Sequence, residues 1–260
     1  MLLEHKVAIV YGAGGSIGGG VARTFAKEGA RVFLAGRTRK TLEAVATDIK
    51  GSGGMAEVAV VDALDEQAVE KHANHVVSEA GRIDISFNLI TRGDVQRIPL
   101  VDMTPDDLLR AVDNGLRSSF LTARAAARPM IKQGSGVILH LNSASGEGAM
   151  PGMGSTGPAD AATESFMRYL AAELGPHGIR VCGIWTAGVA ETLTQEKLTA
   201  VAGDNAPPVE AALAGIAAAA ALRRTPRLAD VAEAAAFLAS DRAAGITATM
   251  LNVTSGLVLR

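Results

Sequence analysis

The stretch KVAIVYGAGGSIGGGVARTFAKEGARVFLAGR, residues 6–37, decides the fold of this chain. Its first part, Lys6 to Tyr11, is a short apolar run without helical period, which is typical of a buried parallel strand. Six glycines follow within nine residues, and a helical pattern then places Ile17 and Phe25 on one face. A second apolar run, Arg31 to Ala35, completes a strand–helix–strand unit.

The glycines predict a binding site for the diphosphate of a dinucleotide. Free N–H groups and the dipole at a helix N-terminus favour negative charge, and a Cβ in the turn would hold the backbone away from a ligand. Gly19 and Gly20 would each cost roughly 0.8–1 kcal/mol relative to alanine inside a helix, so they indicate close approach by a ligand or a neighbouring strand. A tight turn without a ligand is the alternative. The expected contacts are Gly12, Gly14, Gly15, Ser16, Ile17 and Gly18.

Arg37 occupies the end of the second strand, where the adenosine ribose is read in such units. An acidic residue there selects a free 2′-hydroxyl, whereas arginine accommodates a 2′-phosphate because its guanidinium binds phosphate through two hydrogen bonds. Arg39 and Lys40 are close by, and no acidic residue competes. The pattern favours NADP(H) over NAD(H); an ordinary basic helix start is the alternative.

Length, composition and charge limit the number of domains and the kinds of partner that the chain can have. A length of 260 residues fits one α/β domain over residues 1–260, and the net charge of −2 without a basic cluster argues against a nucleic-acid partner. Cys182 is the only cysteine, so neither a disulfide framework nor a cysteine metal site is expected, and we predict no metal. The first strand begins near residue 6, and no apolar run approaches 18 residues. We therefore expect a cytoplasmic protein without a membrane segment.

The rest of the chain alternates strands and helices, which predicts a doubly wound, seven-stranded and mostly parallel sheet with helices on both faces. The expected later strands are 56–61, 84–90, 136–141, 179–185 and 247–253. The expected helices after the second strand are 38–50, 65–80, 105–133, 158–174 and 227–240, with a loop at 147–157 and a helical insert at about 190–226.

Nearly the whole chain resembles a classical short-chain dehydrogenase/reductase. The family's TGxxxGxG turn is similar to residues 11–18, with Tyr11 for the threonine and Ser16 for the middle glycine. Residues 178–181 and 253–256 are similar to the family's GIRVN and VDGG stretches. The resemblance implies a Rossmann-type fold, an oxidoreductase that binds a nicotinamide dinucleotide, and a homo-oligomer, a tetramer or dimer. It also implies cofactor contacts from Asp62, Ala63, Asn88, Gly188 and Thr192, and catalytic roles for Asn114 and Ser143.

The tyrosine and lysine of the family's YxxxK motif are absent. Thirteen positions after Ser143, where the family has the tyrosine, stands Thr156, and the lysine position holds Asp160. Residues 156–162 are otherwise similar to the family's YxxSKAA, which anchors the register. In the family the lysine lowers the pKa of the tyrosine, which then delivers a proton near neutral pH, and a threonine hydroxyl is a far weaker acid. Losing such a relay typically costs on the order of 10²–10⁴ in rate.

Three functions remain open at this point. The first is an NADP(H) oxidoreductase that interconverts a carbonyl and an alcohol of a small apolar substrate. Its catalytic set would be Ser143, Asn114, Thr156 and Asp160, with Asp160 donating the proton if burial kept it protonated, and with a possible contribution from Glu147 or His140. The second is a pseudoenzyme that binds the dinucleotide as a sensor or as a subunit of a mixed oligomer. The third is a scaffold that has lost the nucleotide. Under the first, restoring Thr156→Tyr and Asp160→Lys together should raise reductase activity.

Several apolar residues are candidates for a substrate pocket or for subunit contacts, and for each the alternative is ordinary packing. Met150, Met153 and the insert from about residue 193 to 216 could line a substrate pocket or simply pack on the sheet. Trp185 follows the sixth strand, where packing is the favoured interpretation. Subunit contacts are expected from the helices after the fourth and fifth strands, through small residues such as Ala123, Ala126, Ala127, Ala161 and Ala162.

Overall fold

The computed structural model describes residues 1–148 and 150–259, whose strands form one parallel sheet. The strands are β1 (Val7–Tyr11), β2 (Arg31–Gly36), β3 (Met55–Val60), β4 (Ile85–Asn88), β5 (Gly136–Asn142), β6 (Ile179–Thr186) and β7 (Thr249–Val253). Their order across the sheet is β3-β2-β1-β4-β5-β6-β7. This confirms the predicted doubly wound fold, and every strand pair is parallel.

Helices cover both faces of the sheet. They are α1 (Ser16–Lys27), α2 (Arg39–Gly51), α3 (Glu66–Ala80), α4 (Pro105–Gln133), α5 (Thr156–Leu174), α6 (Gln195–Ala202), α7 (Val209–Ala219) and α8 (Leu228–Ala239). Short 3-10 helices lie at Gly175–His177, Ala190–Thr192, Gly203–Asn205 and Asp241–Ala243. None of the helices within residues 1–148 and 150–259 combines the length and apolar character needed to cross a bilayer.

The core is divided by the sheet into two apolar clusters. One joins β1 to α1, α2 and α8 through residues such as Val21, Leu42 and Val231. The other joins the opposite face to α3, α4 and α5 through residues that include Val69 and Met167. Because β1 is buried on both sides, it carries the continuous apolar run seen in the sequence.

Two predictions about small residues are corrected by this packing. A Cβ on Gly20 would lie 2.7 Å from the Leu228 side chain of α8, and one on Gly19 would lie 3.1 Å from Val45 of α2. These glycines therefore let helices approach one another, rather than a ligand or a strand. The alanines Ala123, Ala126 and Ala127 of α4 are buried in the core of the protomer, so they are not available for subunit contacts.

The topology places a crevice where the strand order reverses. β1 pairs with β2 on one side and with β4 on the other, so the connections that leave them diverge to opposite faces. In open α/β sheets, ligands bind outside the carboxyl ends of the strands at such a point. The glycine turn after β1 and the loops after β4, β5 and β6 therefore meet at this edge.

Candidate active site

The crevice consists of two cavities that meet at the glycine turn. The first, of about 290 Å³, lies over the ends of β1, β2 and β3. The second, of about 400 Å³, lies over the ends of β4, β5 and β6. Four residues line both cavities: Gly15, Leu89, Ile90 and Thr91. An elongated ligand could therefore run from one cavity to the other across the start of α1.

The glycine turn needs its glycines because backbone of the turn itself and of the end of β4 lies against them. Gly12 has a φ of +80°, and a Cβ on it would lie 2.5 Å from the carbonyl oxygen of Leu89. A Cβ on Gly18 would lie 2.2 Å from the carbonyl oxygen of Gly12. Side chains at these positions would push the turn away from β4 and α1, and the crevice would lose its floor.

The predicted adenosine residues lie together in the first cavity. Arg37, Asp62 and Ala63 all line it, together with Gly12, Gly14 and Gly15. Arg37 is exposed, and no hydrogen bond or ion pair ties its guanidinium to another residue in the described ranges. Asp62 is also exposed, and its Oδ1 accepts from the N–H of Leu64 at 3.0 Å. Arg37 is therefore free to meet an anion at the rim of this cavity.

Asn88 lies beneath the crevice, on the side of β4 that faces α4. Its Nδ2 donates to Ser118 Oγ at 3.1 Å, and its Oδ1 accepts from the N–H of Ile90 at 3.2 Å. The side chain is buried, and it is not part of the lining of either cavity. Asn88 thus holds the end of β4 in place, which positions Leu89 and Ile90 in the crevice.

A serine and a buried aspartate form the centre of the second cavity. Ser143, just after β5, lines the cavity, and its Oγ donates to Asp160 Oδ2 at 2.6 Å. The N–H groups of Ser143 and Ser145 donate to the same oxygen at 3.1 and 3.2 Å. Ala144 between them has a φ of +65°, which turns both amides toward the carboxylate. Asp160 itself has no solvent exposure.

Arg92 neutralises this buried carboxylate from the loop after β4. Its Nη1 lies 2.7 Å from Asp160 Oδ1, and its Nη2 lies 2.7 Å from Asp94 Oδ1. The arginine stem packs over Gly115 of α4, where a Cβ would lie 2.8 Å from Arg92 Cδ. With an arginine and three other donors directed at it, Asp160 is surrounded as an ionised carboxylate is, which does not suit the protonated donor predicted from the sequence.

The other two predicted catalytic residues, Thr156 and Asn114, are not among the described residues that line the second cavity. Thr156 is buried, and its Oγ1 accepts from Gln96 Nε2 at 3.0 Å. Asn114 donates through Nδ2 to the backbone oxygen of Arg92 at 2.9 Å. Asn114 therefore positions Arg92, and Thr156 packs under the loop after β4.

Behind Ser143 lies a second buried polar group, formed by Asn142, Glu164 and Trp185. Glu164 Oε1 accepts from Trp185 Nε1 at 2.8 Å and from Asn142 Nδ2 at 3.1 Å. The indole is thus tied into the core, in agreement with the packing interpretation of Trp185. His140 is buried as well, and burial, with a smaller contribution from Arg92, lowers its pKa to about 3. A neutral, enclosed imidazole is not suited to proton delivery in the cavity.

The segment after β6 closes the second cavity from the side. Gly188, with a φ of +47°, and Thr192, which were predicted to contact the cofactor, line it together with Leu193 and Lys197. Lys197 Nζ donates to Ser16 Oγ at 2.9 Å, so α6 contacts the glycine turn directly. Met150 and Met153 are not part of this lining; Ala149, within the loop predicted at 147–157, lies outside the described residues.

Four polar residues at this site were missed by the sequence analysis: Arg92, Asp94, Gln96 and Lys197. The first three follow β4 within eight residues of Asn88, and the rule that ligand sites lie at carboxyl ends of parallel strands could have found them. Gly115 inside a helix was a further signal, because it makes room for Arg92. No local signal marks Lys197, which reaches the site from α6.

Comparison with known families agrees with this geometry. A family model described as enoyl-(acyl carrier protein) reductase, of the short-chain type, matches residues 12–258. The chain belongs to the short-chain dehydrogenase/reductase family. This confirms the resemblance drawn from the glycine turn and the serine after β5.

Relatives within the short-chain dehydrogenase/reductase family align over nearly the whole chain. The 7α-hydroxysteroid dehydrogenase of Escherichia coli (strain K12) is 30% identical over 254 residues, which covers 98% of this chain and 94% of that protein. The 3-oxoacyl-(acyl-carrier-protein) reductase of Chlamydia muridarum is 30% identical over 267 residues, with 98% of each chain covered.

Solved structures from the family superpose closely. A xylitol dehydrogenase bound to NAD+ gives a TM-score of 0.88 at 26% identity and covers 98% of this chain and 100% of that one. A 7α-hydroxysteroid dehydrogenase in complex with NADH and 7-oxo glycochenodeoxycholic acid gives 0.81 at 29% identity, with 98% and 94% covered.

Proposed function

We propose that this protein is an NADP(H)-dependent oxidoreductase that interconverts a carbonyl and an alcohol of a small apolar substrate. The observation that carries the proposal is the contact of 2.6 Å between Ser143 Oγ, which lines the cavity, and the buried Asp160. The cavity wall around Ser143 includes Leu89, Leu141 and Leu193, which suit an apolar substrate.

The residues of the crevice fit a nicotinamide dinucleotide. Two cavities joined at a glycine turn suit a ligand with two nucleoside halves and a diphosphate between them. Related structures hold NAD+ and NADH, and the preference for the 2′-phosphate form is proposed here on the unpaired guanidinium of Arg37. A nicotinamide bound in the crevice would supply or accept the hydride.

Asp160 and Ser143 provide the route for the proton in place of the missing tyrosine and lysine. In alcohol oxidation, Ser143 Oγ takes the hydroxyl proton of the substrate while it passes its own proton to Asp160 Oδ2. Carbonyl reduction runs the same path in reverse, so that Ser143 ends unchanged in either direction. Arg92 and the backbone amides surround Asp160 with donors, so the route begins with a carboxylate that can accept the proton released in alcohol oxidation.

The proton route is tested by comparing Asp160→Asn with Asp94→Asn, since both remove a carboxylate from the same arginine. Only Asp160 contacts Ser143, so we expect kcat to fall by roughly 10²-fold or more in Asp160→Asn and by less than about tenfold in Asp94→Asn. The assay follows NADPH formation with a panel of apolar alcohols, and thermal unfolding checks that both variants fold. Equal losses would show that the carboxylates only hold Arg92.

A catalytically silent dinucleotide-binding protein is the second candidate. It is favoured by the placement of Thr156 under Gln96 and of Asp160 under Arg92, which together occupy the region of the family's acid–base pair. In this case the protein would act as a sensor or as a subunit of a mixed oligomer. Tight NADPH binding without turnover of any alcohol, ketone, aldehyde or quinone would support this second candidate.

Assembly as a homo-oligomer, a dimer or tetramer in the cytoplasm, is part of the proposal. The outer faces of α4 and α5 expose Leu116, Phe120 and Tyr169, whose fractional exposures are 36%, 44% and 72%. Burial of such side chains against a second copy would be favourable. Light scattering of the wild type and of Phe120→Asp tests this, and we expect the variant to be monomeric.

A further inference from the structure

Lys197 is the only part of α6 that is hydrogen-bonded to the glycine turn in the described residues. Its Nζ donates to Ser16 Oγ at 2.9 Å and to the backbone oxygen of Thr192 at 2.7 Å. Ser16 lies 181 positions away in the sequence, so this contact depends on the tertiary structure. The ammonium group consequently sits at the wall of the second cavity, beside Gly15 and Ile17.

This ammonium has no anionic partner among residues 1–148 and 150–259. Both of its acceptors are neutral oxygens, and no carboxylate lies within ion-pair distance of Nζ. Burial lowers the pKa of Lys197, and the opposing effect of the neighbouring Glu196 is smaller. Lys197 is exposed and its charge is not neutralised by the protein, so the ammonium group is available to an anion that enters the cavity.

The surface that Lys197 faces is also positive. α1 begins at Ser16, its first turn carries no acidic residue, and Gly15 before it supplies no capping side chain. The first N–H groups of a helix lack intrahelical acceptors, and the helix dipole makes this end partly positive. An ammonium group and a helix N-terminus repel each other weakly when they are alone, whereas both attract an anion placed between them.

We propose that Lys197 binds the diphosphate of the dinucleotide, together with the hydroxyl of Ser16 and the first amides of α1. The inference rests on the proposed function and assigns a binding residue to the same site. Residue 16 is a glycine in the family pattern, which has no side chain to contribute. Here Ser16 holds the lysine over the turn, and a phosphate oxygen takes over the contact when the ligand binds.

The test measures the Kd of NADPH and of NADH, by the fluorescence of the reduced nicotinamide, for the wild type, Lys197→Gln and Lys197→Arg. Lys71→Gln, an exposed lysine on α3, is the matched control. We expect Lys197→Gln to weaken both ligands by about tenfold and to flatten the dependence of Kd on salt, since one charge–phosphate contact is lost. Lys197→Arg should stay within about threefold of the wild type, because it keeps the charge.

The choice of glutamine separates a phosphate contact from a structural one, because its amide can still donate to Ser16. An unchanged Kd in Lys197→Gln overturns the proposal, and so does an equal loss in the arginine and glutamine variants. If the wild type binds neither dinucleotide, the proposed function fails. Thermal unfolding with inorganic pyrophosphate then tests the diphosphate site by itself. Stabilisation of the wild type but not of Lys197→Gln supports the diphosphate site; equal stabilisation of both, or of neither, overturns it.

Discussion

At position 160 a carboxylate stands where the family pattern has a lysine, and its neighbours match the changed charge. Arg92, in the loop after β4, supplies the cation at this place. Gly115 leaves room for the arginine stem, and Asn114 holds the arginine's backbone. Asp160 is thus one part of a group of residues that fit one another, and its charge is balanced locally.

The contacts around Asp160 change the expected effect of restoring the tyrosine and lysine of the YxxxK motif. We predict that the double variant Thr156→Tyr with Asp160→Lys loses stability and gains no reductase activity, because it replaces the carboxylate that contacts Arg92 by a second cation at the same position. Arg92, whose side chain is 12% exposed, would keep only Asp94 as a partner, and breaking a fully buried ion pair, the upper limit here, typically costs about 3–5 kcal/mol. Urea unfolding measures the loss, and NADPH consumption with a ketone panel measures activity.

Adding Arg92→Ser to the double variant is the control, since it removes the repelling cation. Recovery of stability in the triple variant would support the explanation. Full stability of the double variant would contradict it, because the site would then tolerate two adjacent buried cations.

A second prediction for a single residue concerns Arg37. We expect Arg37→Gln to weaken NADPH by about 10- to 100-fold and to leave NADH unchanged, because only NADPH carries the 2′-phosphate. Arg39→Gln is the matched control, since Arg39 is exposed two positions further on, at the start of α2, and its guanidinium already lies 3.6 Å from the Glu43 carboxylate. Fluorescence titration with both ligands provides the measurement. Equal weakening of NADH would argue against a role in 2′-phosphate recognition.

Among the elements, the turn between β1 and α1 tolerates little change. Its glycines contact backbone rather than flexible side chains at two points, Gly12 against Leu89 and Gly18 against Gly12. Backbone at these points belongs to the end of β4 and to the turn itself, so it cannot move without disturbing the sheet.

We predict that Gly18→Ala destabilises the protein by about 2–3 kcal/mol and abolishes dinucleotide binding, because the new Cβ would lie 2.2 Å from the Gly12 oxygen. Gly51→Ala is the matched control: Gly51 ends α2, and nothing lies within 4 Å of a Cβ there. Urea unfolding should show the control to be neutral or slightly stabilised. A neutral Gly18→Ala would mean that the turn adapts more easily than its contacts suggest.

Comparison of predicted and observed helix boundaries shows where sequence patterns are enough to locate a helix. The caps Asp65 and Thr104 predict the starts of α3 and α4, because their side chains accept from N–H groups three residues on, and both helices span the predicted residues. α5 begins at Thr156, two residues before the predicted start at Pro158, and Thr156 in its first turn accepts a hydrogen bond from Gln96. The 190–226 insert is several short helices, with Pro207 and Pro208 between α6 and α7.

For the molecule as a whole, buried histidines make stability depend on pH. His72 of α3 packs edge-on against Tyr11 of β1, and neither of its ring nitrogens has a partner in the described residues. Burial, with a smaller contribution from His75, lowers the pKa of His72 to about 4. The unfolded chain takes up this proton near pH 6.5, so stability is complete above that pH and declines as the pH falls toward 4.

We predict that His72→Leu loses part of this pH dependence. The wild type should lose about 2 kcal/mol of unfolding free energy through His72 between pH 7.5 and pH 5, and the variant should not, because leucine binds no proton. Urea unfolding at the two pH values measures the difference, and His177→Gln, an exposed histidine, should behave like the wild type. The same pH dependence in His72→Leu would place its origin elsewhere.

The sequence by itself determined the doubly wound fold, the family, the glycine turn and the loss of the tyrosine and lysine. These features are local or periodic: apolar runs form buried strands, caps begin helices, and motif spacings need no partner to be recognised. Only the tertiary structure decided the pairing of Asp160 with Arg92, the placement of Thr156 and Asn88 outside the cavity, and the contact between Lys197 and Ser16. Each of these joins side chains far apart in the chain, whose charge and burial are defined only once the strands and helices have packed.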